Sequence, residues 1–181
     1  MKKLLLVVLI VLLAGAAAFA DHPGKVGLGG IASNGYHMGH GYTFNLGLSF
    51  QADPVPVFWG LFMHFFPNSY SPNGFALGIT GDYYLLEWDL VSKTATNEEG
   101  SYDVKIHWYL GAGLFGNLHL GRNEYIAIDA GIRVPFGASW HATDTLEVTA
   151  GIAPGIGGHS HRKNKFHFVF PVEVAVRYWW F

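Results

Sequence analysis

From Phe166 to Phe181 every second residue is apolar or aromatic: Phe166, Phe168, Phe170, Val172, Val174, Val176, Tyr178 and Trp180. His167, Glu173 and Arg177 fall on the positions between them. A period of two is that of an extended strand, whose side chains point alternately to two faces. The segment is also longer than the ~9 to 11 tilted residues that carry a strand across a bilayer. A strand of this length with one unbroken apolar face, ending the chain on an aromatic, is unusual for a sandwich in water.

Seven earlier segments alternate in the same way. They are Lys25 to Ala32, Gly41 to Gln51, Val55 to Phe66, Phe75 to Leu90, Val104 to Leu120, Tyr125 to His141 and Leu146 to Ile156. In the second, Tyr42, Phe44, Leu46, Leu48 and Phe50 oppose Thr43, Asn45, Gly47, Ser49 and Gln51. In the fourth, Phe75, Leu77, Ile79, Tyr83 and Leu85 share a face until Leu86, Trp88 and Leu90 take it over, a phase slip that predicts a β-bulge. Across the last four segments every charged residue lies on the face opposite the apolar one: Lys105, Asp129, Arg133, Glu147, Glu173 and Arg177.

That sorting selects the architecture. Strands that close on one another with glycines and ionic groups inside, and a continuous apolar face outside, require hydrocarbon around them. Closure is also required, because lipid cannot satisfy the backbone groups of an open sheet edge. The expectation is all-β: an eight-stranded antiparallel up-and-down transmembrane β-barrel with a polar lumen, preceded by a signal peptide. Trp59, Trp88, Trp108, Trp140 and Trp180 are expected to form an outward aromatic girdle at the end where the chain begins and finishes, taken as periplasmic. Tyr42, Phe44, Phe65, Phe75 and Phe166 would form the opposite girdle. External loops are expected at Asn34 to His40, Pro67 to Gly74, Gly121 to Glu124 and Gly157 to Lys165, and turns at Ala52 to Pro54, Lys93 to Asp103 and Ala142 to Thr145. Pro135, Pro154 and Pro171 fall inside expected strands, where each deletes a ladder donor and calls for a bulge or an unpaired register.

Composition agrees with this reading and removes other classes. Lys2 and Lys3, the apolar run Leu4 to Leu13 and the small-residue site Ala18-Phe19-Ala20 read as a secretory signal peptide over residues 1–20, leaving residues 21–181 as one barrel domain. Without Lys2 and Lys3, nine Lys and Arg face thirteen Asp and Glu, so there is no basic footprint for nucleic acid. The chain has no cysteine, so burial and hydrogen bonding carry its stability without disulfides, and lipid attachment at an N-terminal cysteine is excluded.

The pattern, signal peptide and terminal aromatic resemble small bacterial outer-membrane barrels of the OmpA, OmpX and OmpW type. Asp82-Tyr83-Tyr84-Leu85-Leu86-Glu87-Trp88-Asp89-Leu90, Gly131-Ile132-Arg133-Val134-Pro135-Phe136-Gly137 and the stretch from Glu147 to Gly155 are similar to a family of uncharacterised eight-stranded barrels. The likeness covers about Gly74 to the C-terminus. It implies integral location in the outer membrane, contact with outer-membrane lipid, and recognition of the C-terminal strand by barrel-assembly machinery. It implies no activity. In such families the assembly signal ends in Phe with alternate residues on the lipid face, a parity that here would put Glu173 and Arg177 in lipid. Arg177-Tyr178-Trp179-Trp180 is similar to the expected ending with one residue added.

Candidate chemistry falls into three groups. Asp82, Glu87 and Asp89 are expected to meet Lys105, while Arg133, Glu147 and Arg177 meet across one layer; with Asp129 and Glu173 these form an ionic network that either plugs the lumen or gates ions. Phe58, Phe62, Tyr84 and Tyr109 are expected to fill the remaining space, since eight strands enclose room for side chains and little else. His37 and His40 in the first loop and His159 and His161 in the fourth are candidate ligands for a surface-bound divalent transition metal; no other cofactor is expected. A lipid-modifying enzyme would draw on His159-Ser160-His161 or on Ser139 with His141, but neither matches a deacylase spacing and no acid partner is evident. The expected role is therefore non-enzymatic, structural or in surface interaction with an extracellular ligand, with a narrow conduit for small or apolar solutes as the alternative.

Overall fold

The protein, seen as a computed structural model, is described over residues 26–37, 41–52, 55–65, 75–97, 100–120, 126–160 and 166–180. Its elements are β1 (Val26–His37), β2 (Gly41–Ala52), β3 (Val55–Phe65), β4 (Phe75–Asn97), β5 (Gly100–Leu120), β6 (Ile126–Arg133), β7 (Phe136–His141), β8 (Leu146–Ile152), β9 (Gly155–His159) and β10 (Phe166–Trp180). All pairings are antiparallel. β6 and β7 together make one strand of the ring, and β8 and β9 another, so ten elements occupy eight positions. β1 closes the ring against β10 in unbroken register from Val26↔Trp180 to His37↔Val169.

The two breaks have a common cause. They fall at Val134-Pro135 and Ala153-Pro154, where a proline nitrogen has no hydrogen to give the ladder. Each proline still accepts: Gly111 N donates to Pro135 O at 2.8 Å, Val134 N to Pro154 O at 2.9 Å and Ala153 N to Pro171 O at 3.0 Å. Pro171 itself sits within continuous β10. Three prolines on adjacent ring strands thus step around one side of the wall, and the expected irregularity appears at two of them.

The solvent sorting is as expected. Along β10 the residues from Phe166 to Trp180 on the apolar face are exposed, Phe166 by 78%, while Arg177 on the other face is exposed by only 1%. Trp59, Trp88, Trp140 and Trp180 are exposed on the outer face, and Trp108 shares that face, half-covered by stacking on Phe136 at 5.3 Å. Tyr42, Phe44, Phe65 and Phe166 are exposed toward the other end, with Phe75 half-buried. This is the surface of a barrel solvated by hydrocarbon, with its backbone bonds satisfied strand to strand. One apolar cluster of the interior is Ile31, Phe58, Phe62 and Ala175, with Tyr84 packed against them, and Phe115 and Val169 are buried as well.

The phase slip in β4 is a bulge. Register against β5 shifts between Tyr84 and Leu86, leaving both Leu85 and Leu86 exposed, and shifts again between Asp89 and Val91. Most of the expected turn at Lys93 to Asp103 is strand, and residues 98–99 lie outside the described residues. β4 and β5 stay paired to Asn97↔Gly100, whereas β3 leaves β4 at Val57↔Tyr83 and β7 leaves β5 at His141↔Lys105. The result is a two-stranded ribbon projecting from the end that holds Val26 and Trp180. Val91, Thr94, Thr96 and Tyr102 favour extended backbone, and beyond the membrane water can satisfy both outer edges. Two expected loops are also shorter: Asn34 to His37 belongs to β1, and Gly157 to His159 to β9. Residues 38–40, 66–74, 121–125 and 161–165, which held the other loop expectations, lie outside the described residues, as do residues 1–25 with the signal peptide, and Phe181.

Candidate functional site: a layered lumen

The alternation that turns apolar side chains outward stacks the remaining ones in layers down the barrel axis. Nearest the chain ends, Arg177 on β10 and Glu147 on β8 are paired in register. The Arg177 guanidinium donates to Glu147 Oε1 at 2.5 Å and to Gln51 Oε1 at 2.6 Å. Glu147 also accepts from Ser139 Oγ at 2.7 Å and from Trp179 Nε1 at 2.8 Å. The guanidinium carbon lies 4.4 Å from the Phe58 ring centre, within cation–π range. His141 Nε2 is 4.0 Å from Glu147 Oε2, and its ring stacks on His107 at 5.2 Å.

An aromatic layer follows. Tyr84 stacks on Tyr109 at 4.4 Å and faces Phe58 at 6.2 Å, so three rings cross the lumen. Gly137 and Gly151 provide the room, since a Cβ on either would stand 2.5 or 2.6 Å from the Tyr109 hydroxyl.

Beyond the rings, Arg133 is held by two carboxylates at once. Its Nε and one terminal nitrogen donate to Asp82, the first at 2.7 Å, while its terminal nitrogens donate to Glu173 at 2.7 and 2.8 Å. Two bidentate forks on one guanidinium satisfy its donors and fix its plane. Gly113 leaves the space that Asp82 occupies.

Above this layer is a cavity of about 50 Å³ bordered by Ser33, Asn45, Phe62, Thr80, Phe115 and Asn117, with Arg133 and Glu173 at its floor. That volume holds a few water molecules. Asp129, fully buried, accepts from Asn117 Nδ2 at 3.2 Å and lies 3.0 Å from His167 Nε2. At the loop end the His119 and His159 rings are 5.5 Å apart.

The expected ionic network is therefore real in part and differently connected. Arg133 does not share a layer with Glu147 and Arg177; the Phe58, Tyr84 and Tyr109 rings lie between them. Asp82 pairs with Arg133 instead of Lys105. Glu87, Asp89 and Lys105 are exposed: Glu87 and Asp89 lie beyond the last β3–β4 pair, Val57↔Tyr83, and Lys105 stands at the rim of the ring, in the last β5–β7 pair with His141. Among the described residues Asp129 meets the His167 imidazole and the Asn117 amide. Phe58, Phe62, Tyr84 and Tyr109 do fill the interior. Trp179 was not foreseen as part of this site, although its position two residues after Arg177, on the charged face of β10, was the available signal.

Of the expected metal ligands, His40, His161 and the His37 side chain lie outside the described residues, and His159 meets His119. Of the candidate serines, Ser160 Oγ accepts from Ile128 N at 3.0 Å, and Ser139 Oγ donates to Glu147, whose other oxygen lies 4.0 Å from His141 Nε2, so an acid partner that the sequence did not make evident stands beside Ser139 and His141.

No family model and no curated protein matches the chain. Among solved structures it is similar to Neisserial surface protein A, with 14% identity and a TM-score of 0.46 over 85% of this chain and 95% of that one. It is similar also to Ail, the attachment invasion locus protein of Yersinia pestis, with 14% identity and a TM-score of 0.39 over 87% of this chain and 99% of that one. Ail in complex with the heparin analogue sucrose octasulfate matches with a TM-score of 0.34 at 15% identity, over 87% of this chain and 99% of that one.

Proposed function

We propose that this chain is an integral outer-membrane protein whose barrel is a closed scaffold, serving envelope structure or surface interaction through its loop end, and that it is neither a conduit nor an enzyme. One observation carries the reading: three aromatic rings, Phe58, Tyr84 and Tyr109, cross the lumen between two ion clusters in which each arginine is paired with carboxylate. A conduit needs charges that exchange partners with a passing solute. Here, displacing either arginine would strand buried carboxylates. Export through a cleaved signal peptide, insertion by barrel-assembly machinery reading the C-terminal strand, and an extracellular ligand bound by the loops belong to the same proposal. In that setting the β4–β5 ribbon enters the periplasm.

Planar-bilayer recording of the purified barrel tests it. Silence is expected at all voltages that the bilayer tolerates, and stepwise single-channel currents would replace this reading with the conduit. Heat-modifiable migration after detergent extraction is expected for the membrane barrel, and a folded monomer soluble without detergent would remove the outer-membrane assignment.

A further inference from the structure

Asn45 on β2 and Thr80 on β4 each bring to the cavity above Arg133 a polar atom that has no hydrogen-bond partner among the described residues. The Asn45 amide nitrogen donates to Ser33 Oγ at 2.7 Å, and its Oδ1 is left over. Thr80 Oγ1 lies over Gly60, where a Cβ would stand 2.6 Å from it. Both side chains are buried, at 5% and 6% exposure. Ser33 Oγ borders the same space and, while accepting from Asn45, keeps its own proton to give. One carbonyl oxygen and two hydroxyls are thus presented to one cavity, and a buried polar atom without a partner calls for one.

Much of the remaining lining is apolar, from the buried side chains of Phe62, Phe115, Ala153 and Val169. Water answers the amide and the hydroxyls but leaves that surface wetted. A molecule carrying both hydroxyls and C–H groups matches the two kinds of lining together. The floor selects against charge. Arg133 is held between Asp82 and Glu173, so an anion in the cavity would stand against Glu173 and a cation against Arg133. A neutral molecule meets neither like charge.

The volume limits the size. About 50 Å³, at roughly 10 to 15 Å³ for each water-sized group, takes roughly three to five such groups, the span of a three-carbon polyol. Access is from the loop end. Gly35 and Thr43, each two residues from the loop-side end of its strand, border the cavity there, whereas the Arg133 layer and the three rings close the other side.

We infer that this cavity is a blind binding site for a small neutral polyol of glycerol size, entered from the loop end and held by Asn45 Oδ1 and the Ser33 and Thr80 hydroxyls. The site goes beyond the closed-scaffold role and is independent of it, because nothing has to pass Arg133 for the cavity to fill.

The test titrates glycerol into the full chain, folded in detergent micelles, with alanine and valine methyl groups labelled for nuclear magnetic resonance. Saturable shifts are expected at the Ala153 and Val169 methyls, while Ala138 and Val148, outside the cavity, follow only the linear drift of the solvent. Ammonium and acetate are expected to give linear drift at all four. An Asn45→Ala, Thr80→Val double variant is expected to lose the saturation. Linear drift at Ala153 and Val169 with glycerol, the result for a cavity that takes water alone, overturns the assignment, as does saturation that either ion reproduces or that the double variant retains. Should the double variant lose heat-modifiable migration, size decides the matter in the wild type: sucrose, too large for the cavity, is expected to give linear drift at both methyls, and saturation by sucrose overturns the assignment.

Discussion

The Trp179 indole donates to Glu147 Oε2 at 2.8 Å, from a ring that is buried between two neighbours on its own strand that face lipid. Tyr178 and Trp180 point outward as membrane-interface aromatics do, whereas Trp179 completes the hydrogen bonding of a buried carboxylate. Three donors, from Arg177, Ser139 and Trp179, converge on Glu147, which is what allows a charged group at this depth.

Removing that carboxylate charge leaves the Arg177 guanidinium buried beside Phe58. Glu147→Gln is expected to destabilise the barrel by about 3 to 5 kcal/mol, the usual cost of breaking a buried pair from one side. The double variant Glu147→Gln, Arg177→Met is expected to recover much of this. Urea unfolding in lipid vesicles, followed by tryptophan fluorescence, measures both; equal stability of the single and double variants would argue against an ion pair.

Arg133 holds Asp82 and Glu173 together, and without it two carboxylates face each other in the lumen. Arg133→Met is expected to cost about 3 to 5 kcal/mol by the same reasoning. Adding Asp82→Asn and Glu173→Gln should restore folding yield, read as the heat-modifiable fraction on a gel. Failure of the triple variant to gain over the single one would contradict the charge explanation.

The aromatic layer is one of three barriers in series. Tyr109→Ala removes the ring that stacks on Tyr84 and is expected to cost about 3 to 5 kcal/mol in lost packing. Bilayer recordings of this variant should nevertheless stay silent, because the Arg177 and Arg133 clusters remain on either side. Channel openings in the single variant would identify the rings as the sole plug.

On β10, Val174 faces lipid near the middle of the strand and Trp180 faces it at the end. Val174→Arg is expected to destabilise by about 2 to 4 kcal/mol, and Trp180→Arg to place its charge at a cost of only about 0 to 1 kcal/mol beyond the lost ring. The comparison is made by urea titration in vesicles. Similar tolerance at both positions would mean that β10 does not present this face to hydrocarbon.

The ribbon beyond the Ser92↔Lys105 pair is paired only within itself. Replacing residues 93–104 with Asn-Gly is expected to leave heat-modifiable folding intact, since the ring pairings of β3 with β4 and of β7 with β5 lie inside that boundary. Loss of folding would show that the ribbon is needed to assemble the barrel.

What could be read from the chain alone was whatever depends on a period of two and on solvent. The outward row from Phe166 to Trp180, the inward Arg177 and Arg133, the eight ring positions and the slip at Leu85 and Leu86 all follow from local alternation, because each strand must turn one face to hydrocarbon and one to the lumen. Which inward groups meet was not readable. Arg133 reaches Asp82, 51 residues away, and His119 reaches His159 across β6, because the stagger of the closed ring decides the depth at which each side chain arrives. That stagger is a property of all eight ring strands together. Lys105, inward by parity, shows the consequence: it stands in the last ring pair of β5 with β7, opposite His141, where the lumen ends and its side chain is exposed.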